Sequence, residues 1–240
     1  VKAMILAAGR GARMRPLTDT TPKPLLEVGG KPLIVWQIEA LVRGGFTDLV
    51  VNHAWLGERI EDAVGDGRRF GARIAWSREP SAFETAGGIA TALPLIEAAG
   101  KRDEPFAVVS ADIHSDFDYA SLAPVVASIA LHFPVHAAHL VLVDNPTWHP
   151  AGDMALVDGR IARHAEQETG ALLTYANIAV FHPRVFDGVP PSRVLKLFPW
   201  AYTLADAGRM TGSRFTGHWD NVGTPDQLVA LDRRLRDADD

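Results

Sequence analysis

The chain has 240 residues, of which 47% are hydrophobic and 22% charged, with a formal net charge of −5 and no cysteine. This composition belongs to a globular protein with a large core and excludes a disordered, collagenous or coiled-coil chain. The missing thiol excludes disulfides, cysteine-ligated zinc, iron–sulfur clusters and cysteine nucleophiles.

Apolar runs alternate with helical patterns, which predicts repeated βα units and a doubly wound, Rossmann-like, mostly parallel α/β sheet. A first strand is expected over Ala3–Ala7, then a long loop carrying Gly9, Gly11, Pro16, Pro22 and Pro24. A helix from Pro32 to Gly44, a strand over Leu49–Asn52, a helix over Leu56–Val64, a strand over Ala72–Trp76 and a helix over Gly87–Ala99 follow. Phe106–Ser110 reads as a strand running into Asp112, Tyr119–Leu131 as a helix and His139–Val143 as a strand. The rhythm then changes. Met154–Val157 and Arg160–His164 flank Asp158-Gly159, a hairpin signal. Ile178–His182 is expected as a strand, Val194–Ala207 as a helix and Gly212–Phe215 as a strand. Pro225–Arg236 closes the chain as a helix whose Leu228, Leu231 and Leu235 form an apolar face for the sheet. The expected organisation is one domain over 1–240, with a core over 1–143 and a small β-rich part over 144–240.

Charge is unevenly placed. Residues 1–31 hold six basic side chains (Lys2, Arg10, Arg13, Arg15, Lys23, Lys31) against two acids (Asp19, Glu27). A local basic cluster on an acidic chain suits a small anion and not nucleic acid. No apolar run reaches the roughly 18 residues of a membrane span, and the opening apolar stretch is too short for a secretory signal. A cytoplasmic enzyme is expected, with no membrane and no obligate protein partner.

The strongest motif is Leu6-Ala7-Ala8-Gly9-Arg10-Gly11-Ala12-Arg13-Met14-Arg15-Pro16-Leu17-Thr18, followed by Pro22-Lys23-Pro24-Leu25. A glycine-rich turn directly after a first parallel strand lies at the carboxyl edge of the sheet, where such folds bind ligands. Glycine lets backbone N–H groups approach a phosphate, and Arg13 and Lys23 add full charges. The dinucleotide fingerprint is not met, because Met14 stands where Gly or Ala is needed; a Gly-Lys-Ser/Thr loop is absent too. Asp112 brings a carboxylate to the same edge, suited to a hard cation such as Mg²⁺. His132, His136 and His139 have zinc-like spacing, but Pro134 interrupts the helix they would need, so no zinc site is expected.

These segments together resemble the signature of the sugar-1-phosphate nucleotidylyltransferases, normally L-A-A-G-x-G-T-R-L-x-P-L-T and P-K-P. The resemblance continues through Glu84–Ile89, Ser110-Ala111-Asp112 and His218–Thr224. Asn52–Gly57, Gly65–Gly71 and His139–Pro146 match the branch whose sugar is N-acetylmuramic acid α-1-phosphate. The resemblance implies a GT-A-like nucleotidyltransferase fold with a small sugar-binding β region. Its substrates would be UTP and a sugar 1-phosphate, its cofactor Mg²⁺, and its setting the recycling of cell-wall sugars. It implies a nucleotide site of Leu6, Ala8, Gly9, Gly11, Ala12, Arg13, Lys23, Glu84, Gly88 and Ser110. Within it, Gly11-Ala12-Arg13 cradle the triphosphate, Lys23 holds the α-phosphate and the sugar phosphate, and Glu84 and Gly88 meet the base. Arg13, Lys23 and Asp112 would be catalytic.

Asp112 would be the first metal ligand. The family's second is the Asp of W-x-D-x-G; counting back from Gly223 puts Asn221 there, and Asp220, one residue off and on the opposite face of an extended segment, is the alternative. For the sugar the resemblance implies Asp153, Glu166, Asn177 and Lys196. This chain departs from the family at Ser110-Ala111, normally Asn-Gly, and at Gln167, normally Lys. A guanylyl- or cytidylyltransferase acting on mannose- or heptose-type 1-phosphates, such as a mannose-1-phosphate guanylyltransferase, is the alternative within the family. A non-catalytic subunit that senses nucleotide sugars is the alternative outside it; such proteins lose the phosphate cations or the metal carboxylate, whereas Arg13, Lys23 and Asp112 all stand here.

Overall fold

The structure is a computed structural model and describes residues 1–98, 102–163 and 172–239. In chain order the elements are β1 (Lys2–Leu6), β2 (Glu27–Val28), β3 (Lys31–Pro32), α1 (Leu33–Arg43), β4 (Asp48–His53), α2 (Gly57–Val64), β5 (Arg73–Arg78) and α3 (Glu84–Ile96). Then come β6 (Phe106–Ser110), β7 (Ile113–Ser115), α4 (Ala123–His132), β8 (Ala138–Val143), β9 (Ala155–Val157), β10 (Arg160–Ala162) and β11 (Thr174–Phe181). The last are α5 (Tyr202–Asp206), β12 (Met210–Arg214), β13 (Trp219–Asn221) and α6 (Pro225–Asp239).

Central strands alternate between two cores, as a strand buried on both faces must. Ala3 and Ile5 of β1 join Val51, Val109, Ile178 and Val180 in a cluster closed by α1, α2 and α4. Met4, Val50, Phe106, Val108 and Phe181 point the other way, into a cluster closed by α3 and α5. The sheet order is β5-β4-β1-β6-β11-β8-β12-β10-β9. Strands β5, β4, β1 and β6 are parallel, and β11 enters antiparallel between β6 and β8. The later strands therefore extend the same sheet. The β9–β10 hairpin forms its outer edge, with Asp158 and Gly159 both at positive φ as a tight hairpin turn demands.

Two expectations need correction. Val194–Ala207 is not one helix; only Tyr202–Asp206 is helical, and Pro199 removes a donor in the middle of the expected span. The chain ahead of it is held by backbone bonds to α3, Gly87 N–H to Leu195 C=O (3.0 Å) and Leu195 N–H to Phe83 C=O (2.9 Å). The apolar face of α6 packs not on the sheet but in a third core, where Leu231 meets Met14, Leu26, Val28, Leu33 and Val222. Met14, the residue that defeats the dinucleotide fingerprint, is thus the anchor that fastens the signature loop to the C-terminal helix.

His139 on β8 is buried between two hydroxyls, Thr211 Oγ1 at 2.9 Å from Nδ1 and Ser213 Oγ at 3.0 Å from Nε2. Burial pushes its pKa down to about 4. The fold accepts the neutral ring, while the unfolded chain binds a proton below about 6.5, the ordinary histidine value. Stability is therefore full above that pH and falls as pH drops toward 4, by on the order of 3 kcal/mol. His139→Gln should flatten this acid limb in urea titrations at pH 4.5 and 7; an unchanged pH dependence would contradict the assignment.

Candidate active site

The register places three strand ends at one level. Leu6 of β1 pairs with Asn52 of β4 on one side and Ser110 of β6 on the other. Ala7 N–H then donates to Asn52 Oδ1 (2.9 Å), and Ala111 N–H donates to the Leu6 carbonyl (3.0 Å). Beyond this edge the signature loop runs through short 3-10 turns at Ala12–Met14, Leu17–Asp19 and Lys23–Leu25. Gly11 sits at φ 65°, and a Cβ there would come within 2.9 Å of Thr18 Cγ2 and 3.1 Å of Lys23 Cβ. Both backbone conformation and space require glycine at this position. Thr18 Oγ1 closes the turn by donating to the Gly11 carbonyl (2.8 Å).

The connection between β4 and α2 clamps the loop from outside. Trp55 Nε1 donates to the Thr18 carbonyl (3.0 Å), the Arg10 guanidinium lies 4.7 Å from the centre of the Trp55 ring, and Arg59 donates to the Thr20 carbonyl.

A cavity of about 360 Å³ opens at the shared strand edge, and Leu6, Ala8, Gly9, Lys23, Glu84, Ser110 and Asp112 all line it. Arg10, Asn52 and Thr85 line it as well. Gly11, Ala12 and Arg13 do not. Arg13 is exposed and lies against Gly223, where a Cβ would stand 3.2 Å from its Nη2. Gly88 is also absent from the wall. Its open side faces Asn52 Nδ2 and Glu79 Oε1, which a Cβ would approach to 2.8 and 3.0 Å. The small residue there admits a polar network and is not itself a platform in the cavity. In that network Asn52 Nδ2 donates to Glu79 Oε1 (2.6 Å) and Phe83 N–H to Glu79 Oε2 (2.9 Å). Burial raises the Glu79 pKa, and the bonds from Phe83 and Asn52 oppose that rise.

Lys23 and Asp112 form an ion pair on the cavity floor, with side chains 11% and 30% exposed. The short strand β13 pairs with β7, setting Asn221 opposite Ile113, and Val222 N–H donates to the Asp112 carbonyl (2.9 Å). Asn221 therefore stands beside Asp112 although 109 positions separate them in the chain. Asn221 Oδ1 is buried and has no hydrogen-bond partner, whereas Asp220 faces the other way and pairs with Arg234 on α6. A buried acceptor without a donor is costly unless something fills it. A carboxylate and an amide oxygen carried on neighbouring backbone segments are donors of the type a hard, oxygen-loving divalent cation takes. Among the described residues no cluster of three His, Cys, Asp or Glu side chains could hold a metal. A cation at this place would take its remaining ligands from substrate and water.

A second cavity, about 290 Å³, is lined by Asn221 together with Asp153, Asn177, His149, Trp148 and Trp219. Asn177 occupies a register break between β11 and β8 and has φ 57°, which turns it out of the strand's regular alternation. Lys196 is exposed and lines neither cavity. It is held off by the Leu195 backbone bonds to α3 in place of the expected helix. Glu166, and Gln167 with it, lie outside the described residues.

Four contributors escape a reading of the sequence alone. Asn52 carries a signal, a polar side chain ending the apolar strand Leu49-Val50-Val51. Arg10 sits at a variable position of the motif, Glu79 is paired through Asn52 from 27 residues away, and His149 reads only as part of a turn.

A glycine-rich loop at the carboxyl edge of a parallel sheet, beside a lysine–carboxylate pair, is an arrangement that α/β proteins use to hold phosphates. The family model described as "Nucleotidyl transferase" matches residues 2–147, and the chain belongs to this nucleotidyl transferase family. It is 48% identical over 225 residues to the N-acetylmuramate alpha-1-phosphate uridylyltransferase of Neisseria meningitidis serogroup B, covering 93% of this chain and 94% of that one. It is 29% identical over 235 residues to mannose-1-phosphate guanyltransferase beta-B of Xenopus laevis, covering 95% of this chain but only 63% of that longer protein. Among solved structures, HddC from Yersinia pseudotuberculosis complexed with GMP-PN overlays with a TM-score of 0.77 at 17% identity, covering 97% of this chain and 98% of that one; this likeness concerns the fold. No described helix is long and apolar enough to cross a membrane.

Proposed function

We propose that the protein transfers UMP from UTP to N-acetylmuramic acid α-1-phosphate, releasing pyrophosphate and forming the UDP-sugar. The observation that carries the reaction type is the signature-loop cavity lined by Lys23 and Asp112, with Asn221, which lines the second cavity, on the strand paired next to Asp112. The choice of substrates is supported by the 48% identity to the Neisseria uridylyltransferase. Such a product belongs to the recycling of cell-wall sugars in the cytoplasm. In this reading residues 1–143 form the nucleotide side of a single domain and 144–240 the sugar side.

The reaction joins two anions, so positioning and charge neutralisation are the main tasks. A sugar-phosphate oxygen attacks the α-phosphorus of UTP, the bond to the β-phosphate oxygen breaks, and pyrophosphate leaves with that electron pair. Lys23 sits where both phosphates converge and neutralises their approach. Arg10 at the cavity wall, and Arg13 beside Gly223, balance the charge that grows on the leaving group. Glu84, exposed at the start of α3, offers a carboxylate to the edge of the base. Asp112 and Asn221 would hold Mg²⁺, which supplies charge neutralisation for the phosphates when bound. Ser110 lines the nucleotide side, and Asp153 and Asn177 the sugar side.

Pyrophosphate release with Mg²⁺ should be measured with UTP, GTP, CTP, ATP and dTTP against the 1-phosphates of N-acetylmuramic acid, N-acetylglucosamine, mannose and heptose. UTP with the muramic sugar should be the best pair. GTP with mannose 1-phosphate as best pair would favour the guanylyltransferase reading, which the 29% identity to the Xenopus protein supports. Nucleotide binding without any turnover would favour a sensing subunit. In the same assay Asn221→Ala should lower turnover about 10²-fold or more at limiting Mg²⁺, as removing a preorganised electrostatic group does, and Asp220→Ala much less. The reverse ranking would remove Asn221 from the metal site.

A further inference from the structure

The second cavity holds one basic side chain among its lining residues, His149, and one acid, Asp153. Both carboxylate oxygens of Asp153 are taken. Oδ2 accepts from the Tyr175 N–H (2.9 Å), and Oδ1 meets His149 Nε2 (2.9 Å). The Asp153 carbonyl is used as well, accepting from the Tyr202 hydroxyl (2.9 Å). Asp153 is thus fixed from three sides, with one carboxylate oxygen turned to the imidazole. The ring is held from its face too. His149 stacks on Trp148 (centroids 6.0 Å apart, 28° between planes), and Trp148 stacks on Trp219 (6.3 Å, 27°). Trp219 is tied to β11 through its Nε1, which donates to the Ala176 carbonyl (2.9 Å). Among the described residues nothing is hydrogen-bonded to His149 Nδ1.

A ring held by a half-exposed carboxylate and by one indole that is itself stacked on a second, with one nitrogen left over, is costly to assemble for packing alone on a half-exposed surface. With Nε2 turned to Asp153, Nδ1 is the ring atom left for a ligand, and an imidazole set between Asp153 and a ligand carboxylate would carry a proton on each nitrogen and donate to both. N-acetylmuramic acid differs from N-acetylglucosamine by a lactyl ether that ends in a carboxylate, and a charge-assisted hydrogen bond is the interaction that tells the two apart.

We propose that His149 is the specificity-determining residue that receives the carboxylate of an acidic sugar, and that Asp153 is a positioning residue for it and does not itself bind sugar hydroxyls. This rests on the transferase reading above and names which feature of the sugar the second cavity selects.

The test uses full-length protein, UTP, and two sugars, N-acetylmuramic acid α-1-phosphate and N-acetylglucosamine α-1-phosphate. KM and kcat are measured for each sugar in wild type, His149→Ala, His149→Gln and Asp153→Asn. His149→Ala should lower the preference in kcat/KM for the muramic sugar about tenfold or more, through its KM. His149→Gln, which keeps a polar group without charge and guards against a folding defect in the alanine variant, should lower it as well. Asp153→Asn should shift the preference the same way by a smaller factor. Equal losses for both sugars, or a preference unchanged within twofold in both His149 variants, overturn this inference and leave the transferase reading intact. A wild-type protein that turns over neither sugar with UTP overturns both.

Discussion

Asp112→Asn is expected to lower kcat about a thousandfold while the protein melts within a few degrees of wild type. The carboxylate pairs with Lys23, whose side chain is only 11% exposed, and it stands beside the orphaned Asn221 Oδ1. Alanine would leave a nearly buried ammonium without a partner, confusing a loss of stability with a loss of chemistry. Asparagine keeps an oxygen for Lys23 but carries no charge, so it isolates the electrostatic contribution. The measurement is steady-state pyrophosphate release, with a thermal melt of the same preparation. A rate within tenfold of wild type would take Asp112 out of the reaction. A large loss rescued by raising Mg²⁺ would locate the damage in cation binding.

Gly87→Ala should destabilise the fold by about 3 kcal/mol, lowering Tm by roughly 6–12 °C for a chain of this size. The glycine's missing side chain is the space into which the 193–195 segment docks: a Cβ at Gly87 would lie 1.9 Å from the Arg193 carbonyl oxygen. Backbone on both sides leaves no flexible atom to give way. Two hydrogen bonds, between Gly87 and Leu195 and between Leu195 and Phe83, depend on that approach. Gly188→Ala is the control, because a Cβ there meets nothing within 4 Å. Equal melting temperatures for the two variants would mean that the segment is free to move away from α3. A partial result is informative as well: a Gly87→Ala protein that melts normally but binds nucleotide weakly would show that docking of this segment shapes the cavity near Glu84 and Thr85, not the core.

The inner strands were readable because each is a short apolar run that both cores require. Phe106–Ser110 has the same bounds in sequence and structure, and Met4 and Ile5 alternate as a doubly buried strand must. Counting back from Gly223 singles out Asn221 in the sequence, and in the structure Asp220 pairs with Arg234 while Asn221 Oδ1 has no partner. What stayed hidden depends on partners far away in the chain. Strands β7 and β13 have three residues each and little pattern of their own; they exist because they pair with one another. Residues 194–201 have a helical look that fails because Gly87 and Phe83 offer their backbone groups a better match than a helix containing Pro199. Gly88 reads as a surface for a flat base, and the neighbours that leave no room for a side chain there, Asn52 and Glu79, are ones no local spacing connects to it.

The anchoring of the signature loop bears on how tightly nucleotide can be held. Met14 is locked in the third core, and Trp55 and Arg59 grip the loop at Thr18 and Thr20 before any ligand arrives. A free loop of this length would surrender about 1–2 kcal/mol of conformational entropy per residue when it closed on a phosphate. Here most of that ordering is already complete when the chain folds, so affinity is not drained by it. The debt has moved from binding to folding, and substitutions at Trp55 or Arg59, outside the motif itself, act on nucleotide affinity by returning it.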